Sequence, residues 1–151
     1  MIENLQYNTL REDLKKVFIL KRPKLDKEQC STDGTRKWLI KLDDGNLVET
    51  VYIPENNRGT LCVSSQVGCT LNCKFCHTGT QKLVRNLEPY EIVGQITAVK
   101  DDLYDWGGKK NSSSKRIVSN IVVMGMGEPL YNFENIKKSL TKVFKNKQII
   151  F

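Results

Sequence analysis

The stretch Thr60-Leu61-Cys62-Val63-Ser64-Ser65-Gln66-Val67-Gly68-Cys69-Thr70-Leu71-Asn72-Cys73-Lys74-Phe75-Cys76 decides how the rest of the chain is read. Its first part, around residues 61–64, has the apolar character of a short strand. It then runs into a loop, residues 67–82, that holds three closely spaced cysteines. A strand that delivers a chemistry-bearing loop at its carboxyl end is the working unit of α/β folds.

Working outward, an upstream hairpin is expected. Two strand-like runs, residues 38–42 and 47–53, flank Asp43-Asp44-Gly45-Asn46, and Asp-Gly between such runs marks a tight turn. Residues 21–36 read as a basic, turn-rich connector with Pro23 and Asp33-Gly34, and residues 5–18 as a short amphipathic helix carrying Leu10, Leu14, Val17 and Phe18. Downstream, Pro89 suits the first turn of a helix whose apolar stripe is Ile92, Ile96, Val99 and Leu103. Residues 107–115 form a polar loop. The apolar run 117–124 reads as a buried parallel strand that stops at Gly125-Met126-Gly127-Glu128-Pro129. A last helix is expected over 133–144, with Asn132 as its N-cap and Phe133, Ile136, Leu140 and Val143 facing inward. The order strand, cysteine loop, helix, strand, Gly-Glu loop, helix is a β/α repeat.

Composition narrows the function. The chain has 151 residues, 39% of them hydrophobic, enough for one compact domain and too many for a disordered chain. No apolar run approaches the ~20 residues that span a bilayer, and the first residues lack a secretory pattern, so no membrane partner and a cytoplasmic location are expected. The net charge of +7 favours polyanionic partners without proving one. Four of the five cysteines crowd between Cys62 and Cys76, which in a reducing compartment points to metal or catalysis rather than disulfides.

Cys69, Cys73 and Cys76, at C-x3-C-x2-C spacing, suit three corners of a four-iron cluster whose fourth iron is left for a small molecule. Phe75 stands where it could shield such a cluster from water. Other readings stay open on the residues alone. Cys73-Lys74-Phe75-Cys76-His77 also spells a c-type haem attachment string. A zinc site from the three cysteines with His77 or Cys62 is chemically allowed, and inert buried cysteines are common.

The cysteine loop, the words Thr60 to Cys69 before it, Gly125-Met126-Gly127-Glu128-Pro129 after it and Val48-Glu49-Thr50-Val51-Tyr52-Ile53-Pro54 upstream together resemble one family. It is the radical-S-adenosylmethionine dual-specificity ribosomal and transfer RNA adenine-C2 methyltransferases, with their antibiotic-resistance adenine-C8 relatives. The resemblance covers about residues 29–144. It implies a 4Fe-4S cluster held by Cys69, Cys73 and Cys76, and S-adenosyl-L-methionine held at its amino end by Gly127 and Glu128. In the family, one S-adenosylmethionine methylates a cysteine near the C-terminus, and a second is cleaved to a radical that activates that methyl group for addition to an adenine carbon. The resemblance makes Glu49 the general base and Cys62 the cysteine that resolves the protein–RNA adduct through a transient disulfide, with its partner absent from this chain. The pattern adds an expectation for Glu49: on a strand it shares a face with Leu47, Val51 and Ile53, so desolvation should raise its pKa. For Cys62 and Glu128 the residues alone allow plainer roles, a small apolar strand residue and a helix-flanking acid.

The implied fold is α/β: an incomplete (β/α) barrel, its first units only, preceded by a short helix and a β-hairpin. The implied division is 1–36 as a remnant of an N-terminal accessory region, 37–58 as the hairpin, and 59–151 as the first part of the barrel. A complete barrel needs about 200 residues or more, so the sequence reads as truncated at both ends, with exposed apolar faces and poor solubility in isolation. The implied partners are ribosomal and transfer RNA, a flavodoxin-like electron donor and a complementing chain carrying the missing barrel half. Lys82, Arg85, Lys109, Lys110, Lys115 and Arg116 are candidates for an RNA path. Two competing functions are a catalytically dead remnant and a zinc-stabilised RNA-binding module.

Overall fold

The structure is a computed structural model that describes residues 9–10, 12–14, 16–17, 21–56, 58–71, 73–106 and 116–143, with 142 by backbone only. Its centre is a five-stranded mixed sheet in the order β1-β2-β3-β4-β7, formed by β1 (Lys24–Cys30), β2 (Arg36–Lys41), β3 (Leu47–Pro54), β4 (Gly59–Cys62) and β7 (Asn120–Val122). A two-stranded ribbon of β5 (Gln66–Val67) and β6 (Arg85–Asn86) stands beside it, and helices α1 (Pro89–Asp102) and α2 (Phe133–Val143) complete the layers.

The expected hairpin forms, with Lys41 opposite Leu47 and Arg36 opposite Tyr52. Its turn needs Gly45, whose φ is +86°, a conformation that costs a side-chain-bearing residue strain. Asp44 closes the turn, accepting from the Asn46 amide N–H at 3.0 Å and from the Asn46 side chain at 2.8 Å. The Asn46 side-chain and backbone donors, with Arg85 adding a smaller effect, hold the Asp44 carboxyl down at about 2.

Three expectations are corrected. The connector contains a strand: Lys24–Cys30 pairs antiparallel with β2 as an edge strand, interrupted by a bulge between Leu25 and Lys27. Its charged, exposed side chains hid it from a pattern search, yet such residues are what protects a sheet edge from further pairing. The apolar run 117–124 yields only a three-residue strand. Asp105 takes the Ile117 and Val118 amides at 2.8 and 3.0 Å, so the run enters the sheet late. Asn132 does not cap α2; it lies in a 3-10 turn, Pro129–Asn132, and its buried amide donates to Ser65 O and Leu87 O, both at 2.8 Å. Of the helix expected over 5–18, the described positions between 9 and 17 are helical and the remainder lies outside the described residues, as does the loop 107–115.

Strand alternation sorts the sheet into two faces. Trp38, Ile40, Val48, Leu61 and Val63 point into a core shared with Ile92, Ile96 and Val99 of α1 and Ile136 and Leu140 of α2. The opposite face carries Glu49, Val51, Cys62 and Val122, each half-buried. A polar knot sits within the core. The Gln95 carboxamide, fully buried on α1, accepts from the Thr50 hydroxyl and the Ser64 amide at 2.8 Å each and donates to Ser64 O at 3.0 Å. It pins the carboxyl end of β4 to the helix.

Candidate active site

β4 and β7 lie side by side and parallel, with Cys62 opposite Val122. Their pairing continues past the strands, as Val63 donates to Val122 O at 2.9 Å and Gly125 donates to Val63 O at 3.0 Å. The cysteine loop and the Gly125–Glu128 loop therefore leave the sheet from neighbouring carboxyl ends. This is the position at which α/β sheets present ligand sites.

The two loops are fused by close packing. A Cβ on Gly125 would lie 2.7 Å from Ser64 Oγ, and one on Gly127, whose φ is +93°, would lie 2.4 Å from Gln66 Cβ. The Ser64 hydroxyl donates to Glu49 O at 2.6 Å and accepts from the Met126 amide at 2.8 Å. The Glu49 amide in turn points at Met126 Sδ, 3.4 Å away. Gln66, fully buried, reaches both loops: its Nε2 donates to Thr70 Oγ1 at 2.9 Å, and its Oε1 accepts from the Glu128 amide at 2.9 Å.

Around the cysteines the backbone is similarly tight. Gly68 has φ +76° and leaves 2.1 Å between an added Cβ and Lys82 O; on Gly79 an added Cβ would meet Cys73 O at 2.7 Å. Cys69, Cys73 and Cys76 are free and half-buried, and Leu71 N–H points at Cys69 Sγ at 3.4 Å. Three free thiols on one short loop, one of them already accepting an amide hydrogen bond, fit the donor chemistry of an iron–sulfur cluster, whose sulfurs are stabilised by such bonds. Among the described residues, no three His, Cys, Asp or Glu side chains are grouped closely enough to hold a single metal ion. Phe75 is 94% exposed and so does not give the shielding expected of it.

Glu49 does not sit on a dry face. Its side chain is 43% exposed and pairs with Lys37 at 3.2 Å, while Leu47 and Ile53 on the same side are exposed. Among the described residues no helix covers this side of the sheet, since α1 and α2 pack on the opposite face. Cys62 shares this face, opposite Val51. Burial pushes its thiol above the ordinary value, with the Met124 backbone N–H opposing. Glu128 is half-buried and its carboxylate accepts from Leu130 N at 3.4 Å, so it also caps the following 3-10 turn.

Arg85 is removed from the candidate RNA path. Its guanidinium forms two 2.8 Å hydrogen bonds to the buried Glu91 carboxylate and one of 2.7 Å to Asp44. It clamps the hairpin turn to the start of α1. Lys82 and Arg116 are exposed, and Lys109, Lys110 and Lys115 lie outside the described residues.

Gln66, Ser64 and Gln95 carry much of this geometry and escaped the sequence reading. A usable signal existed for Gln95, which falls on the same helical stripe as Ile92, Ile96 and Val99.

No family model matches the chain. It is 56% identical over 146 residues to a protein of Nitrobacter winogradskyi named dual-specificity RNA methyltransferase RlmN, covering 93% of this chain and 37% of that protein. A protein of the same name from Rhizorhabdus wittichii is 59% identical over 126 residues, 83% of this chain and 31% of its own length. By sequence this chain is a homologue of the RlmN dual-specificity RNA methyltransferases. A solved radical SAM methyltransferase from Sphaerobacter thermophilus superimposes with a TM-score of 0.74 at 39% identity, over 87% of this chain and 37% of that one. The mixed α/β fold is thus that of a radical SAM methyltransferase over the part compared. The chain spans about a third of the length of the RlmN relatives it matches. Among the described residues, no helix is long and apolar enough to cross a membrane.

Proposed function

We propose that the protein to which this sequence belongs methylates C2 of adenine in ribosomal and transfer RNA, using a 4Fe-4S cluster on Cys69, Cys73 and Cys76 and S-adenosylmethionine beside Gly127 and Glu128. The observation that carries the reading is the pair of adjacent loops. The three thiols leave β4 and the Gly-Glu segment leaves β7, and one buried amide spans both. The kinship to RlmN proteins supports the substrate class. Strands β4 and β7 with their helices are in this reading the first units of an incomplete (β/α) barrel, residues 59–151, with the hairpin 37–58 before it. The remaining barrel comes from further chain or from a complementing chain, and a flavodoxin-like donor supplies electrons.

When bound, the cluster supplies a single electron to the sulfonium of S-adenosylmethionine. The chain's own residues do the rest of the work assigned here. Glu128 and the carbonyls of its loop accept hydrogen bonds from the ammonium end of the substrate, with the carboxylate's charge strengthening them. Glu49 stands on the open face of the sheet, fixed through its backbone to Ser64 and Met126 and paired through its side chain with Lys37. An accessible carboxylate there can take a proton from an RNA carbon without first being uncovered. Cys62 is on the same face two strands' width away from Lys37, and its thiol stays protonated until a base or a reactive partner draws it into thiolate chemistry.

The test is anaerobic purification and reconstitution with iron and sulfide, followed by metal analysis and the visible spectrum. The expected result is about four irons per chain and a broad absorbance near 400 nm that bleaches with dithionite. Replacing any one of Cys69, Cys73 and Cys76 by Ala should abolish it. A colourless protein with one zinc per chain would overturn the assignment.

A further inference from the structure

Gln66 uses both ends of its carboxamide. On one side Nε2 donates to Thr70 Oγ1 at 2.9 Å and to Asn86 Oδ1 at 2.7 Å. On the other, Oε1 accepts from Glu128 N at 2.9 Å and from Thr70 N at 3.4 Å. Its own amide donates to Met126 O at 3.2 Å. Thr70 directly follows the first of the three cysteines, and Glu128 is the acid of the neighbouring loop. Only a residue with a donor and an acceptor a fixed distance apart can satisfy these partners together, because a carboxylate cannot donate and an apolar side chain can do neither. The glycine at 127 is what lets the side chain in, since a Cβ there would lie 2.4 Å from Gln66 Cβ. Apolar packing would have joined the loops without direction. A buried amide fixes their spacing and orientation, and its burial with every partner met makes it hard to displace.

We infer that Gln66 is a positioning residue that sets the separation between the cysteine loop and the Gly127-Glu128 loop, so that S-adenosylmethionine bound by the second lies in register with a cluster held by the first. This rests on the function proposed above. The residue touches neither group and acts through Thr70 and the Glu128 amide.

The experiment compares the parent protein with Gln66→Leu, Gln66→Glu and Thr70→Val, each reconstituted anaerobically with iron and sulfide. Iron content, the Kd for S-adenosylmethionine by equilibrium dialysis, and the electron paramagnetic resonance spectrum of the reduced protein with and without S-adenosylmethionine are read. Gln66→Leu is expected to keep its iron, weaken S-adenosylmethionine at least about tenfold, within the usual range of coupling between linked sites, and blunt the spectral change that the ligand causes. Gln66→Glu, which keeps the acceptor for the Glu128 amide, should recover part of both. Thr70→Val, at an exposed position, tests the same link should Gln66→Leu fail to fold, and should weaken binding by a smaller factor. Parent-like Kd and spectral change in iron-loaded Gln66→Leu would overturn the inference alone, and so would Gln66→Glu behaving no better than Gln66→Leu. A parent that takes up iron without responding to S-adenosylmethionine, or takes up none, would bring down the proposed function and this inference together.

Discussion

Gln95→Leu is the most demanding test of how the site is held. The substitution leaves the Ser64 amide, the Ser64 carbonyl and the Thr50 hydroxyl without their partner, in a region where Thr50, Ser64 and Gln95 are all fully buried. Each stranded group costs about 1–3 kcal/mol, so three at a middle value cost ~6 kcal/mol. The leucine returns about 1.5 kcal/mol by burying more apolar surface. The net loss is about 4.5 kcal/mol, a large share of the ~5–15 kcal/mol that stabilises a typical domain. Thr50→Val is the control. It removes one bond and leaves Gln95 engaged with Ser64, so it should cost only about 1 kcal/mol. Urea unfolding measures both, and the midpoints should fall with unchanged slope. If Gln95→Leu lies within about 1 kcal/mol of the parent, or costs no more than Thr50→Val, Gln95 does not anchor the end of β4 and the account of the polar knot is wrong.

Other expectations follow from the same structure. The Asp44 carboxyl should titrate at about 2 by NMR. Because that value is depressed, its stabilising effect is complete above the unfolded carboxyl value of about 3.9 and is lost as pH falls through about 2; a midpoint near 4 would refute the turn geometry. Cys62 has a raised thiol, so its contribution runs the other way: full below the ordinary thiol value of about 8.5 and lost as pH climbs through the raised one. Alkylation of Cys62 followed by mass spectrometry should accordingly show a midpoint above about 8.5. Gly68→Ala should destabilise by more than about 2 kcal/mol, since it combines a left-handed backbone with a Cβ 2.1 Å from Lys82 O. Glu91→Gln should cost about 1–2 kcal/mol in thermal or urea unfolding by weakening the charged bonds to Arg85, which keeps Asp44, against little change for Lys16→Ala in an exposed pair.

Much of this architecture could be read from the amino-acid order. The Asp43–Asn46 turn, the start of α1 at Pro89 and the span of α2 each have a local cause: a positive-φ glycine, a proline in a first turn, an apolar stripe at helical spacing. Where the local signal and the tertiary use diverged, the reading failed. Lys24–Cys30 looks like a connector because an edge strand exposed on both faces has no alternation to reveal it. Leu47, Val51 and Ile53 mark one apolar side of β3, yet pattern alone does not say that α1 and α2 cover the other. Arg85 looked like one more surface cation, and its partner Glu91 was identifiable only once the turn between β6 and α1 brought them together. The order of motifs located the cysteine and Gly-Glu loops; the amides that join them are long-range partners and had no signature in sequence.

The link from Gln66 to Glu128 spans 62 positions. A ribosome adding ~5–20 residues per second needs about 3 to 12 seconds to cover that distance. During this interval the nascent chain has already exposed Cys69, Cys73 and Cys76, while Gln66 still lacks the backbone donor that completes its bonding and Met126 has not yet met Ser64. The thiols are made early and their support arrives late. The two loops can therefore be joined only after β7 and the segment that follows it have been made.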